Sequence, residues 1–260
     1  MGNIDLKYTK NKETKGDIEY TYNTITNEEF EQFNVGLLDL GTITQKSYVK
    51  NALVAVIDLE GFTDFCNQID NHLVIPEFLS EFLTWLFKVM KDKFLKQKTK
   101  SNVHLWGSLP FFGKFTGDGA LFLWDTDLSV GMTGIGNIAL NMESICNDYK
   151  FKLYPLLSKS FAKMPVRLRV GIARGQVLSI GGGNDFVGPC INLASRLQKI
   201  SSLSFAISRR GFDPEECFKE YASDYIVKKI PIQGISNDEP ILILETHYDA
   251  LSPEEKKQFR

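Results

Sequence analysis

Lys114-Phe-Thr-Gly-Asp-Gly119 stands between two apolar runs, Leu109 to Phe112 and Ala120 to Trp124. The pattern predicts a strand, a tight glycine turn and a second strand, with Asp118 at the tip. An aspartate in such a turn ordinarily bonds its own backbone and does nothing more. A second carboxylate is placed in the same way. Asp58 ends the strand-like run Ala52-Leu-Val-Ala-Val-Ile-Asp58, and Gly61-Phe-Thr63 follows it. Two strand-end carboxylates beside glycines are what a pair of oxygen-preferring cations such as Mg²⁺ needs on a nucleoside triphosphate.

A chain of 260 residues suits one or at most two domains, and 43% hydrophobic with 24% charged residues is the balance of a soluble globular protein. A net charge of −2 gives no reason to expect nucleic acid or an anionic membrane as partner. Cys66, Cys146, Cys190 and Cys217 are far apart without a CxxC, and three of them lie among apolar residues, as buried free thiols do. His72, His104 and His247 are scattered, so no zinc site is predicted. The amino terminus has no apolar h-region, and Gly2 is followed by Leu at position six, against a signal peptide and against myristoylation. No apolar run is long enough to span a bilayer. These features predict a cytoplasmic protein.

In chain order, residues 1–45 read as an arm, partly extended, with the alternating stretch Ile18-Glu-Tyr-Thr-Tyr22 able to form a short hairpin. Gly36 to Gly41 is a short apolar link into the first strand. Residues 52–58 predict a strand buried on both faces. Pro76 is expected to open a helix, in the first-turn position proline tolerates, with Phe78, Phe82, Leu86 and Met90 at helical spacing and a lysine run at its end. A second long helix is expected at about 128–150, weakened at its start by Gly131, Gly134 and Gly136. Val166 to Ile172 reads as a strand, and Gln176 to Ile180 as one pairing back on it across Ala173-Arg-Gly175. Gly181-Gly-Gly183 fits a turn better than a phosphate cradle. A helix at Asn192–Lys199, a strand at Leu203–Ser208, a helix at Pro214–Tyr221 and strands at Tyr225–Ile232 and Pro240–Glu245 complete the core. One α/β domain with a mixed sheet is expected over residues 46–248, followed by a tail, 249–260.

Four pieces now stand in order: Asp58 with Gly61-Phe62-Thr63; Lys114-x-x-Gly-Asp118; Arg169-Val-Gly-Ile-Ala-x-Gly175; and Asp185-x-x-Gly188-x-x-x-Asn192-x-x-x-Arg196. Together they resemble the class III nucleotide cyclase catalytic domain, over about residues 50–245. The resemblance implies a ferredoxin-like mixed or antiparallel sheet with helices packed on it, and a head-to-tail homodimer with the site at its interface. It implies that Asp58 and Asp118 bind two divalent cations, Mn²⁺ or Mg²⁺, with help from the backbone carbonyl of Leu59 or its neighbour. Phe62 and Thr63 fall on the substrate side. Lys114 and Asp185 match the pair that reads the base, Asn192 the residue that orients the ribose, and Arg196 the one that stabilises charge on the α-phosphate. The metal carboxylates would come from one protomer and the Lys, Asp, Asn and Arg group from the other. Asn192 and Arg196, one helical turn apart, project from one helix face. Taken singly, Arg196 is an ordinary surface arginine and Asn192 a helix N-cap. In one respect the chain departs from the family. Where members carry a lysine for the terminal phosphates, Gln233 precedes Gly234, with Lys228 and Lys229 nearby.

A lysine that donates to a ring nitrogen, beside an aspartate that accepts from an exocyclic amine, suits adenine and cytosine and disfavours guanine and uracil. Leu109-Pro-Phe-Phe-Gly-Lys-Phe115, Phe186 to Gln198 and Ile207-Ser-Arg-Arg-Gly-Phe212 look like the stand-alone bacterial pyrimidine cyclases of anti-phage defence, as does a catalytic domain that fills nearly the whole chain. That resemblance implies cCMP or cUMP as product, read by a separate effector protein. Adenylate cyclase is the alternative. Two answers of other classes are an inactive regulatory or dimerisation module of the same fold and a polymerase-palm relative. The near-neutral charge and the lack of finger-like or thumb-like segments speak against the palm.

Overall fold

The computed structural model describes residues 6–32, 35–68, 71–128, 131–200 and 202–260. Gly2 and residues 129–130, near the start of the expected 128–150 helix, lie outside the described residues. The chain forms two compact units, residues 1–49 with 178–187, and residues 50–177 with 188–260.

In the smaller unit β1 (Thr9–Lys15) and β2 (Ile18–Thr24) pair antiparallel around Gly16-Asp17, so the alternating stretch does form a hairpin. Helix α1 (Asn27–Glu31) follows. Thr26 caps it, accepting from Glu29 N while the Glu29 carboxylate takes Thr26 N.

The larger unit takes β3 (Val49–Glu60) from Lys50 onward, then α2 (Phe62–Cys66), α3 (Asn71–Phe94), β4 (Leu95–Lys98), β5 (Val103–Leu105), β6 (Phe112–Phe115) and β7 (Gly119–Asp125). Next come α4 (Gly131–Asp148), a π turn (Tyr149–Leu153), α5 (Tyr154–Leu157), β8 (Arg167–Ile180), β9 (Asp185–Val187) and α6 (Pro189–Leu197). The chain finishes with β10 (Phe205–Ser208), α7 (Pro214–Phe218), a 3-10 turn (Lys219–Asp224), β11 (Tyr225–Ile232), β12 (Ser236–Leu244), α8 (Glu245–Asp249) and α9 (Pro253–Lys256). The main sheet runs β11-β12-β10-β8-β3-β7-β6, with β10 parallel to β8 and antiparallel to β12. The sheet is therefore mixed, as expected. Residues 178–180 of β8 and all of β9 belong to the smaller unit.

Side chains alternate across the strands. Leu53, Ala55 and Ile57 of β3, Ala120, Phe122 and Trp124 of β7, and Leu168, Val170 and Ile172 of β8 share one core cluster with Phe78, Phe82 and Leu86 of α3 and Ile138 and Met142 of α4. The residues between them face the other side. There α6 crosses β8 at Gly171, where a Cβ would fall inside the surface of Ala194 O and 2.5 Å from Gln198 N. We expect Gly171→Ala to lower stability by about 2–3 kcal/mol, because backbone cannot yield as a flexible side chain can. A urea titration measures it.

Several expected elements differ. Pro76 does not open α3 but lies inside it, since the helix already starts at Asn71. This near the helix start, the missing N–H costs one bond without breaking the helix. The lysine run splits: Lys91 and Lys93 end α3, while Lys96 and Lys98 lie on β4. Residues 166–180 are not a hairpin, because β8 runs straight through Ala173-Arg-Gly175. The turn comes later, at Gly181–Asn184, where the triple glycine supplies positive φ. Helix α6 starts at Pro189 with Gly188 as its cap, so Asn192 is a helical residue and no N-cap. Pro214–Phe218 is helical, and the stretch from Lys219 tightens to a 3-10 turn. The last residues fold back on the sheet: Phe259 is buried, and Arg260 exchanges two backbone bonds with Lys229. Among the described residues no helix is long and apolar enough to cross a membrane.

Candidate active site

The predicted hairpin is present, with its first strand at Phe112–Phe115 in place of Leu109–Phe112, and its two glycines have separate reasons. Gly117 turns the chain at φ 100°, a conformation side chains resist, and Thr116 N donates to Gly119 O at 3.0 Å. Gly119 is required by proximity, since a Cβ there would run into Ile57 O on the neighbouring strand. Gly119 sits opposite Asp58 in the β3–β7 register, and Leu59 N donates to Asp118 O at 2.9 Å. The carboxylate at the end of β3 and the one at the hairpin tip are thus fixed to one corner of the sheet.

The Asp118 carboxylate acts on Asp58. Asp58 is 8% exposed, and burial raises its pKa, with the negative charge of Asp118 adding to the rise. The Arg169 guanidinium works against both, and so, from just beyond α6, does Lys199. Arg169 Nε donates to Asp58 Oδ2 at 3.0 Å and Nη2 reaches the same oxygen. Two residues along each strand, Arg167 Nε holds Glu60 Oε2 at 2.5 Å. Asp118 also pushes the Cys66 thiol upward, second to burial.

Leu59 keeps its side chain in the core, so its backbone carbonyl is all it can offer a cation. Phe62 is likewise committed, its ring 6.0 Å from that of Phe65 and 6.4 Å from that of Phe78. Of the pair, only Thr63, exposed in the first turn of α2, presents a side chain. Lys114 is exposed on the edge strand β6, opposite Leu121, beside a groove of about 410 Å³ lined by Leu83, Phe87, Phe111, Phe115 and Phe122. Asn192 and Arg196 are exposed on one face of α6, while Cys190, Leu193, Ala194 and Leu197 bury the other. Among the described residues Arg196 has no ion-pair partner. Asp185 opens β9 in the smaller unit, its Oδ1 accepting from Phe186 N at 2.8 Å. Lys228 Nζ stands 4.3 Å over the Tyr248 ring, whereas the Lys229 side chain is exposed.

The chain itself thus brings Asp58, Asp118 and Leu59 together. Arg169 is the member whose role sequence reasoning missed, though its motif was noticed. The available signal was Arg167 and Arg169 alternating in a strand otherwise buried, where a charge needs a partner. Among the described residues no group of three or more His, Cys, Asp or Glu side chains is placed to hold a metal ion. A buried carboxylate whose ionised form is opposed by burial and by a second carboxylate is nonetheless a donor pair that a divalent cation relieves. In donor chemistry these carboxylates fit such ions.

No family model matches the chain, and no curated protein does. Solved structures do match in fold. The adenylyl cyclase CyaB from P. aeruginosa superposes with a TM-score of 0.55 at 16% identity, over 76% of this chain and 95% of that one. A bacterial light-regulated adenylyl cyclase gives 0.52 at 12% identity, over 78% of this chain and 53% of that one. The chain has the fold of the class III cyclase catalytic domain.

Proposed function

We propose that the protein is a nucleotide cyclase that converts a pyrimidine nucleoside triphosphate to its 3′,5′-cyclic monophosphate and pyrophosphate, as a head-to-tail homodimer. The observation that carries the cyclase reading is the β3–β7 corner, where strand pairing sets the backbones of Asp58 and Asp118 side by side and the charge of Asp118 bears on Asp58. Asp58, Asp118 and the Leu59 carbonyl hold two divalent cations, Mn²⁺ or Mg²⁺. When bound, these favour the ionised 3′-hydroxyl and neutralise the leaving phosphates. The remaining groups orient and stabilise. Lys114 and Asp185 read the base, Asn192 holds the ribose, and Arg196 meets the α-phosphate oxygens as charge develops there. The reaction is intramolecular, so positioning and charge neutralisation supply most of the acceleration. The exposure of Asn192 and Arg196 on α6, with no ion-pair partner for Arg196 among the described residues, suits residues that wait for a ligand or for a second subunit.

The sequence stretches that resemble those of pyrimidine cyclases favour CTP or UTP, and the lysine–aspartate logic favours CTP of the two. The product would be a second messenger for a separate effector in anti-phage defence. Adenylate cyclase is the second reading, favoured by adenine's matching edge and by the adenylyl cyclases of like fold. Incubation with Mn²⁺ and each of the four triphosphates, with products identified by mass spectrometry, tests all of this. Cyclic CMP or UMP as the main product is the expected result. Dominant cAMP would overturn the pyrimidine assignment, and no cyclic product from any triphosphate would overturn the cyclase.

A further inference from the structure

The run Gly181-Gly-Gly183 has no part in the chemistry proposed above, yet its surroundings are specific. It turns the end of β8 into β9, placing Ile180 opposite Asp185 and Ser179 opposite Phe186. Gly183 N and Asn184 N both donate to Ile180 O at 3.1 Å. All three glycines have positive φ, at 57°, 74° and 110°. A turn of this length does not need three such residues for its own sake. The second reason is the segment Leu40–Tyr48 of the same unit, which lies against the turn. A Cβ on Gly181 would collide with Leu40 O and one on Gly182 with the Gln45 side chain, while one on Gly183 would stand 2.5 Å from Tyr48 Oη. The fit is reciprocal, because a Cβ on Gly41 would stand 2.6 Å from Asn184 Nδ2. The space a side chain would take at each of the three glycines is therefore filled by the chain itself.

The end of this segment is tied down. Tyr48 N donates to Ser179 Oγ and Ser179 N donates to Tyr48 O, both at 3.0 Å, with Ser179 1% exposed. The Tyr48 ring meets Phe186 edge-on at 6.1 Å between centroids. Phe186 in turn donates its N–H to Asp185. A strand of three residues fixes little by itself, so the direction of the Asp185 carboxylate depends on what holds Phe186 and Ser179.

We propose that Leu40–Tyr48 is a positioning element: seated on the triple-glycine turn, it fixes β9 through Tyr48 and so sets which base Asp185 accepts. The inference rests on the base-reading role proposed for Asp185. Hydrogen-bond discrimination between bases is steep in geometry, so loosening the seat costs selectivity before it costs chemistry.

The test compares the full-length wild type with Tyr48→Ala and Tyr48→Phe, by equilibrium binding of ATP, CTP, UTP and GTP with Mn²⁺, by turnover, and by hydrogen exchange of residues 178–187. In Tyr48→Ala we expect faster exchange in that hairpin and a loss of about tenfold in the ratio of affinities between the best and second-best base. Both variants keep the two backbone bonds to Ser179, and Tyr48→Phe, which also keeps the ring against Phe186, should hold the wild-type ratio. Unchanged exchange in Tyr48→Ala overturns the seat. Faster exchange with an unchanged ratio overturns the positioning role. Wild-type binding without turnover sinks the cyclase assignment alone and leaves the affinity ratios to decide. Failure of the wild type to bind any triphosphate overturns both.

Discussion

Asp118→Ala is expected to abolish metal-dependent turnover, by about 10³-fold or more, corresponding to roughly 4 kcal/mol of lost transition-state stabilisation. The fold should hardly notice. The bond that docks the hairpin tip uses the Asp118 backbone carbonyl, which accepts from Leu59 N, and alanine retains that carbonyl. The tight geometry comes from Gly117 and Gly119, which are untouched. Removing the carboxylate also removes a repulsion on buried Asp58, so thermal stability should stay level or rise slightly while activity disappears. That combination separates a metal-binding carboxylate from a turn-former. A melting curve and a discontinuous assay of cyclic product on the same preparation read it. A variant with wild-type turnover would show that the carboxylate is only a turn residue, and the corner would lose its proposed chemistry.

How much of this was legible beforehand depends on whether local pattern or tertiary contact decides each feature. The corner was legible because both strands are continuously apolar and both carboxylates sit where those runs stop; Ala52 to Leu59 is buried throughout. Helix α3 was legible from its spacing. The straightness of β8 was not. Residues 173–175 look like a turn in isolation, and only the helix crossing at Gly171 and Gly175 shows that these glycines answer close approach, not reversal. The triple glycine was read correctly as a turn, but its second reason lies with residues about 140 positions earlier in the chain, which no local window contains. Phe62 was placed with the substrate because of its motif, whereas its ring packs with Phe65 and Phe78; a motif carries backbone geometry as well as side-chain roles. Residues 249–260 were read only as a tail after the domain. Phe259 and the exchange between Arg260 and Lys229 are long-range pairings that composition cannot announce.

Arg169 supplies the second large effect, and it follows from where its guanidinium rests. Both partners are nearly buried, with side chains 16% and 11% exposed, and two donors of one guanidinium converge on a single Asp58 oxygen. Breaking such a pair from one side strands the other charge, so Arg169→Met should lower stability by roughly 3 kcal/mol, read by urea unfolding without metal. Without the guanidinium, Asp58 faces burial and Asp118 with only Lys199 in opposition. A divalent cation then becomes the best available counter-charge. Millimolar Mn²⁺ should accordingly restore much of the lost stability in Arg169→Met and raise the wild type far less, because in the wild type the ion must displace the guanidinium first. Adding Asp58→Asn to Arg169→Met should recover stability and erase the Mn²⁺ response together. If Mn²⁺ stabilises wild type and Arg169→Met equally, arginine and metal do not compete for Asp58, and the cations must be held elsewhere. If the single variant loses stability and Mn²⁺ returns it, the resting site is an internal salt bridge, and loading the metal begins with moving one arginine side chain.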